Sequence, residues 1–100
     1  MPADLLLAPE AVMDLADAYS WYEERRSGLG EEFLTCVEAT LESICRSPVM
    51  YSIVNADYRR ALVRRFPYAI FFEGAQDTVT VYAILHAARN PEKWKQRLPL

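Results

Sequence analysis

Residues 58–86 hold three short β-patterned runs joined by tight turns, and this block restricts the fold more than any other part of the chain. The first runs from Arg59 to Phe66 and is cut from the next by Pro67, which cannot donate to a strand ladder. The second runs from Tyr68 to Glu73, and Gly74-Ala75-Gln76-Asp77 then reads as a hairpin turn. The third, Thr78 to His86, alternates: Val79, Val81, Ala83 and Leu85 point one way, and Thr78, Thr80, Tyr82, Ile84 and His86 the other. The first set is the expected core face. Successive strands linked this tightly can only pair antiparallel, so this half is expected to be a three-stranded meander.

The half before it is helical. Asp4 to Leu7 is a short apolar run stopped by Ala8-Pro9, read as a first strand. Pro9 suits the first turn of a helix, where its missing N–H costs nothing, and Glu10 complements the helix dipole. Val12, Leu15, Ala16, Tyr19 and Tyr22 recur at helical spacing as the expected buried stripe, with Asp14, Asp17, Glu24 and Arg25 opposite. Ser27-Gly28 ends this helix near Arg26. A second helix starts at Leu29 or Gly30, carries Phe33, Leu34, Val37, Leu41 and Ile44 inward, and stops at Ser47-Pro48. Val49 to Asp57 reads as an irregular connection. After the meander, Asn90-Pro91 opens a short helix containing Trp94. The expectation is one α+β domain over residues 1–100: a short N-terminal strand, an antiparallel helical hairpin, a three-stranded antiparallel meander and a short C-terminal helix, in two layers. Tyr68, Ile70, Phe72, Tyr82 and His86 are expected to line the more open sheet face.

With 100 residues, 52% of them hydrophobic, the chain holds one small core that gains from a partner. No apolar run reaches the roughly 18 residues of a membrane span. The opening segment has no basic stretch of a signal peptide, so the expected location is the cytoplasm. Cys36 and Cys45 sit about 13 Å apart along one helix, too far to bridge, and read as small buried or half-buried thiols. With one histidine and no CxxC, neither a metal site nor a cofactor is expected. The net charge of −3 hides a split: residues 1–56 hold three basic and ten acidic residues, residues 57–100 eight basic and four acidic. Two surfaces that see different partners are implied, and the overall acidity argues against broad docking on nucleic acid.

Three blocks carry a family resemblance. W-Y-E-x-x-x-x-G-L-G-x-x-F at Trp21–Phe33, R-x-F-P-Y-x-I-x-F at Arg64–Phe72 and V-Y-A-I-L-H-A-A-R-N-P-x-x-W at Val81–Trp94 stand in the order found in the RelE/ParE superfamily of bacterial toxins. Together they resemble ParE-type toxins over roughly residues 3–97. The resemblance implies the toxin of a type II toxin–antitoxin module, with a small protein antitoxin that wraps it by strand pairing along the sheet edge and by a helix in the apolar groove. It implies DNA gyrase as target, contact with nucleic acid only through gyrase, and no membrane. The alternative within the superfamily is a ribosome-dependent mRNA endonuclease of RelE type. RelE-like enzymes place an arginine early in the third strand; here that position is Tyr68, after Phe66-Pro67. The missing cation is the one phosphoryl chemistry most needs, so the chain reads closer to ParE.

The candidate residues follow. Trp21, Arg59, Arg60, Arg64, Tyr68 and Phe72 are expected to meet the antitoxin, and Arg89, Asn90, Lys93 and Trp94 the target. If the chain cuts RNA, His86, Arg65 and Arg89 are the residues to do it. Each has a plainer reading beside it: His86 fixing the path of the tail, the arginines solubilising a strand edge, Trp94 pinning the last helix. The pairs Glu23-Glu24 and Glu31-Glu32 read as solvated helix ends.

Overall fold

The computed structural model of the chain describes residues 2–88 and 93–98. Its elements are β1 (Asp4–Leu7), α1 (Pro9–Arg25), α2 (Leu29–Arg46), a 3-10 turn at Pro48–Met50, β2 (Ser52–Asn55), β3 (Tyr58–Leu62), β4 (Tyr68–Ala75), β5 (Thr78–His86) and α3 (Lys93–Arg97). The five strands form one sheet in the order β1-β5-β4-β3-β2. β1 runs parallel to β5 and the other pairs are antiparallel. α1 and α2 cover one face of this sheet, and α3 lies on the other.

The helical hairpin forms much as the pattern requires. Arg26–Gly28 joins the two helices, with Gly28 at φ +90°, a conformation that costs an L side chain energy. A Cβ at Gly30 would lie 2.9 Å from the Tyr19 carbonyl and 2.9 Å from Glu23 Oε1, so glycine is what lets the helices approach here. The first N–H groups of α2 lack a capping side chain at Gly28 itself; Glu23 supplies it, accepting from Gly28 N and Gly30 N at 2.9 Å each. Glu23 is therefore a structural cap rather than a solvated helix end. Glu31 accepts from the Tyr19 hydroxyl, and Glu32 bridges Arg26 and Arg65.

α1 is rotated from its expected stripe. Its buried residues are Ala11, Ala18 and Tyr22, with Leu15 packed against the core, while Val12 is 50% exposed. Two alanines let the helix sit close on the sheet. Asp14, expected outside, lies on the inner side because the sheet offers it an unpaired N–H. α2 buries Phe33, Val37, Leu41 and Ile44 as expected. Cys45 is buried and Cys36 half-buried, and both thiols are free.

The sheet departs from expectation in three ways. Residues 52–55 form an edge strand, paired Ser52↔Arg60, Ile53↔Arg59 and Asn55↔Tyr58, where an irregular connection was expected. β3 ends at Leu62, so Arg64 and Arg65 belong to the turn before Pro67, and Arg65 takes φ +72° there. The β4–β5 hairpin turns on Gln76 and Asp77 alone, both at positive φ, the geometry that matches strand twist; Gly74 is a strand residue packed by Pro48.

A β-bulge in β5 corrects the face assignment. Phe71 pairs with Ala83 but Phe72 pairs with Val81, so Tyr82 is an extra residue and the alternation flips across it. Val79, Val81 and Ile84 join Tyr68, Ile70 and Phe72 in the main core under the helices. Ala83 and Leu85 fall on the opposite face, in a smaller cluster with Tyr58, Ala69, Phe71, Tyr82, Trp94 and Leu98. Tyr68, Ile70 and Phe72 thus do not line an open face; they are 9%, 0% and 0% exposed.

Candidate functional site

Three surfaces gather the groups able to meet a partner. The first is an apolar groove of about 700 Å³ between β1 and α2, closed at its base by α1. Leu5 and Leu7 form one wall, Leu34, Val37 and Leu41 the other, and Leu15 the floor. Glu38, Glu42 and Arg46 stand among the lining residues, spaced four apart on α2 so that all three reach the same side. Arg46 lies 4.0 Å from Glu42, a loose exposed pair.

The second surface is basic. Arg60 and Arg64 are exposed, with no carboxylate partner among the described residues. Arg59 is held differently: its guanidinium donates to the carbonyls of Tyr51 at 2.6 Å and Val49 at 3.4 Å, tying the 3-10 turn to β3. Arg65 pairs with Glu32 at 3.0 Å across to α2, and this bond, more than the neighbouring Arg26, holds the Glu32 carboxyl below the usual range. Four arginines close in sequence thus fall into three roles: Arg59 ties the backbone, Arg65 pairs with α2, and Arg60 and Arg64 stay exposed.

The third is the tail. α3 crosses the far face of the sheet and stacks Trp94 on Phe71, with centroids 5.4 Å apart and planes 9° from parallel. Arg97 closes a bidentate pair with Asp14 of α1 at 2.8 Å on both oxygens, and Asp14 Oδ2 also accepts from Ile84 N at 3.1 Å. β1 pairs with β5 only as far as Val81, so Ile84 N lies beyond its reach and Asp14 caps it. Trp94 is half-buried and pinned; Lys93 is exposed. Lys93 borders a notch of about 240 Å³ with Asp17, Trp21, Tyr68 and His86. His86 Nδ1 accepts from Ala88 N at 3.2 Å and its ring meets Tyr68 edge-on at 5.4 Å, so it orders the start of the tail. Trp21 is 37% exposed, with the Arg25 guanidinium 3.7 Å above its ring. Arg89 and Asn90 lie outside the described residues.

This arrangement separates the expected site residues. Phe72 is fully buried, and Tyr68 is a core residue that reaches the surface at the notch beside His86. Arg65, a candidate for RNA chemistry, is turned to Glu32 on α2. A scan against protein families matches residues 5–91 to the ParE toxin of type II toxin–antitoxin systems, parDE. The chain belongs to the ParE toxin family. A solved chain of the chromosomal ParDE toxin–antitoxin system from P. aeruginosa superposes with a TM-score of 0.74 at 12% identity, covering 84% of this chain and 95% of that one; the likeness is one of fold. No curated protein sequence matches the chain.

For this ParE-family toxin, sequence reasoning found the fold and expected an apolar groove but did not name the residues that line it. Two signals were available. A four-residue strand that alternates faces cannot turn Leu5, Leu6 and Leu7 all inward, so some must meet solvent or a partner. Leu34, next to Phe33 on the α2 stripe, faces sideways into the same space. Asp14 had no such signal, since nothing local distinguishes a carboxylate that caps a distant strand from a solvated one.

Proposed function

We propose that this ParE-family toxin acts in the cytoplasm on DNA gyrase, and that a cognate protein antitoxin neutralises it by covering the groove between β1 and α2. The observation that carries the gyrase reading is Tyr68. RelE-like nucleases place an arginine at this point, and here a tyrosine 9% exposed packs its ring against Tyr22 and Phe33, at 6.0 and 5.1 Å. A cation could not replace it there without burying its charge, so the position supports a toxin that works by binding. The tail, with Lys93 and Trp94 and preceded by Arg89 and Asn90, is the surface assigned to gyrase. Trp21 and the exposed Arg60 and Arg64 extend the antitoxin contact beyond the groove, whereas Arg59 serves the fold.

An in vitro supercoiling assay with purified toxin and gyrase, with and without antitoxin, tests this. Inhibition relieved by antitoxin is the expected result. Absence of inhibition at high toxin excess, together with mRNA cleavage on translating ribosomes that His86→Ala abolishes, would overturn it.

A further inference from the structure

We infer that β2 is the contact through which two copies of this chain associate, each β2 pairing antiparallel with the other about a two-fold axis near Ile53. The surface lies away from the groove and the tail, and the inference stands independently of the gyrase reading.

β2 is the end strand opposite β1. The outer edge of an end strand carries backbone N–H and C=O groups without a ladder partner, and folded chains guard such edges with charge or proline. Ser52-Ile53-Val54-Asn55 has neither. Its neighbour β3 carries Arg59 and Arg60, so the charge stops one strand short of the edge. Apolar side chains gather at the edge instead. Ile53 is 57% exposed, and Val49 and Met50, in the turn just before the strand, are 76% and 79% exposed. No large apolar side chain among the described residues is more open to water than these last two, and such a cluster marks a contact surface.

The charges at the two ends of β2 choose the partner. Arg59 holds its guanidinium against the carbonyls of Val49 and Tyr51, so a cation stands at the start of the strand. Asp57, exposed in the turn that follows, puts an anion at its end. A strand with a cation at its start and an anion at its end is complementary to an antiparallel copy of itself. With the axis at Ile53, Asp57 of one copy falls opposite Val49 of the other, beside the Arg59 guanidinium, and symmetry makes this contact twice. In parallel alignment, like charges would meet at both ends. Ile53 meets Ile53 at the axis, where a charge would face its own image.

The same features limit the strength. The bulge at Val54 interrupts regular pairing, so the shared ladder is short. The contact falls below the roughly 800 Å² per partner of a stable interface, and a dissociation constant of about 10–100 µM is expected. β1 and its groove lie at the other end of the sheet, and α3 stacks on Phe71 of β4, so both surfaces stay open in the dimer.

Sedimentation equilibrium of the full-length toxin, free of antitoxin, over about 5–500 µM tests this. The average mass is expected to rise with concentration from that of one chain toward that of two. Ile53→Lys and Ile53→Glu, at an exposed position, are expected to keep the thermal midpoint and to weaken association at least tenfold each. An equimolar mixture of the two is expected to recover it, because lysine then faces glutamate across the axis. Asp57→Lys sets like charges against Arg59 and is expected to weaken association at least threefold at low salt, and less in 0.5 M salt. Leu34→Lys, in the β1–α2 groove, is expected to leave it unchanged. A toxin still monomeric at the highest concentration would overturn the inference. So would association that Ile53→Lys leaves intact, a mixture no tighter than the single variants, or association that Leu34→Lys abolishes.

Discussion

Asp14 is where one substitution should uncouple the tail from the domain. Its side chain is 9% exposed and that of Arg97 is 22%, so the pair is only weakly screened by water. The carboxylate accepts two bonds of 2.8 Å from Arg97 and one of 3.1 Å from Ile84 N. Asp14→Asn keeps the shape and one acceptor for Ile84 but removes the charge and the second guanidinium acceptor. Leaving a part-buried charged donor unmatched costs about 2 kcal/mol, which for a domain of this size is a fall of roughly 8–16 °C in Tm. Arg97→Met spares the bond to Ile84 but strands a buried carboxylate, and should cost about 1–3 kcal/mol. Because the two residues meet directly, the double variant should lose less than the sum, with a coupling of about 1–2 kcal/mol. Urea denaturation of the four proteins measures this cycle. Trp94 fluorescence should shift to the red in Asp14→Asn before global unfolding, as the ring leaves Phe71. A coupling below about 0.5 kcal/mol, with Trp94 still stacked, would refute the claim that this clasp holds α3.

Other consequences are simpler to state. Gly30→Ala pushes a methyl to 2.9 Å from the Tyr19 carbonyl and should destabilise the helical hairpin by about 1–3 kcal/mol in the same denaturation experiment. Burial, with Asp4 nearby, raises the Cys45 thiol above its usual value, so alkylation at pH 8 followed by mass spectrometry should mark Cys36 well before Cys45. The Glu32 carboxyl is held below its usual value of 4.5 by Arg65 first, so whatever stability its bridges add is complete above that pH and fades as pH falls through the lowered value; the Tm gap between wild type and Glu32→Gln should close in acid. Ending the chain after Arg89 should weaken gyrase inhibition more than His86→Ala does, as read by supercoiling assay. Equal losses would point to His86 as a participant in toxicity.

The elements with strong local patterning were legible before any coordinates. α2 carries its apolar stripe, its helix-start acids and a proline stop, and it appears where the pattern puts it, burying Phe33, Val37, Leu41 and Ile44. β5 spans Thr78–His86 as read. What the pattern could not carry was pairing. β2 has four residues and three of them are exposed, so no alternation marks it; it is a strand because Arg59 and Arg60 of β3 offer it a ladder. The bulge at Tyr82 left no mark either, because a face switch looks like continued alternation when both faces are apolar. That one residue turned Ile84 into the core and Ala83 and Leu85 to the opposite face.

The candidate site divides along the same line. The order of elements, the acidic first half and the basic second half, and the three family blocks are properties of the linear chain. They suffice for fold and family because both rest on short-range patterns that survive without knowledge of contacts. The lining of the groove, the cap that Asp14 places on β5 and the separate fates of the arginines belong to the tertiary structure alone. Each depends on two segments far apart in sequence meeting at a few ångströms, as Asp14 and Arg97 do. The energy of such a contact depends on what burial leaves unpaired, which no residue carries by itself.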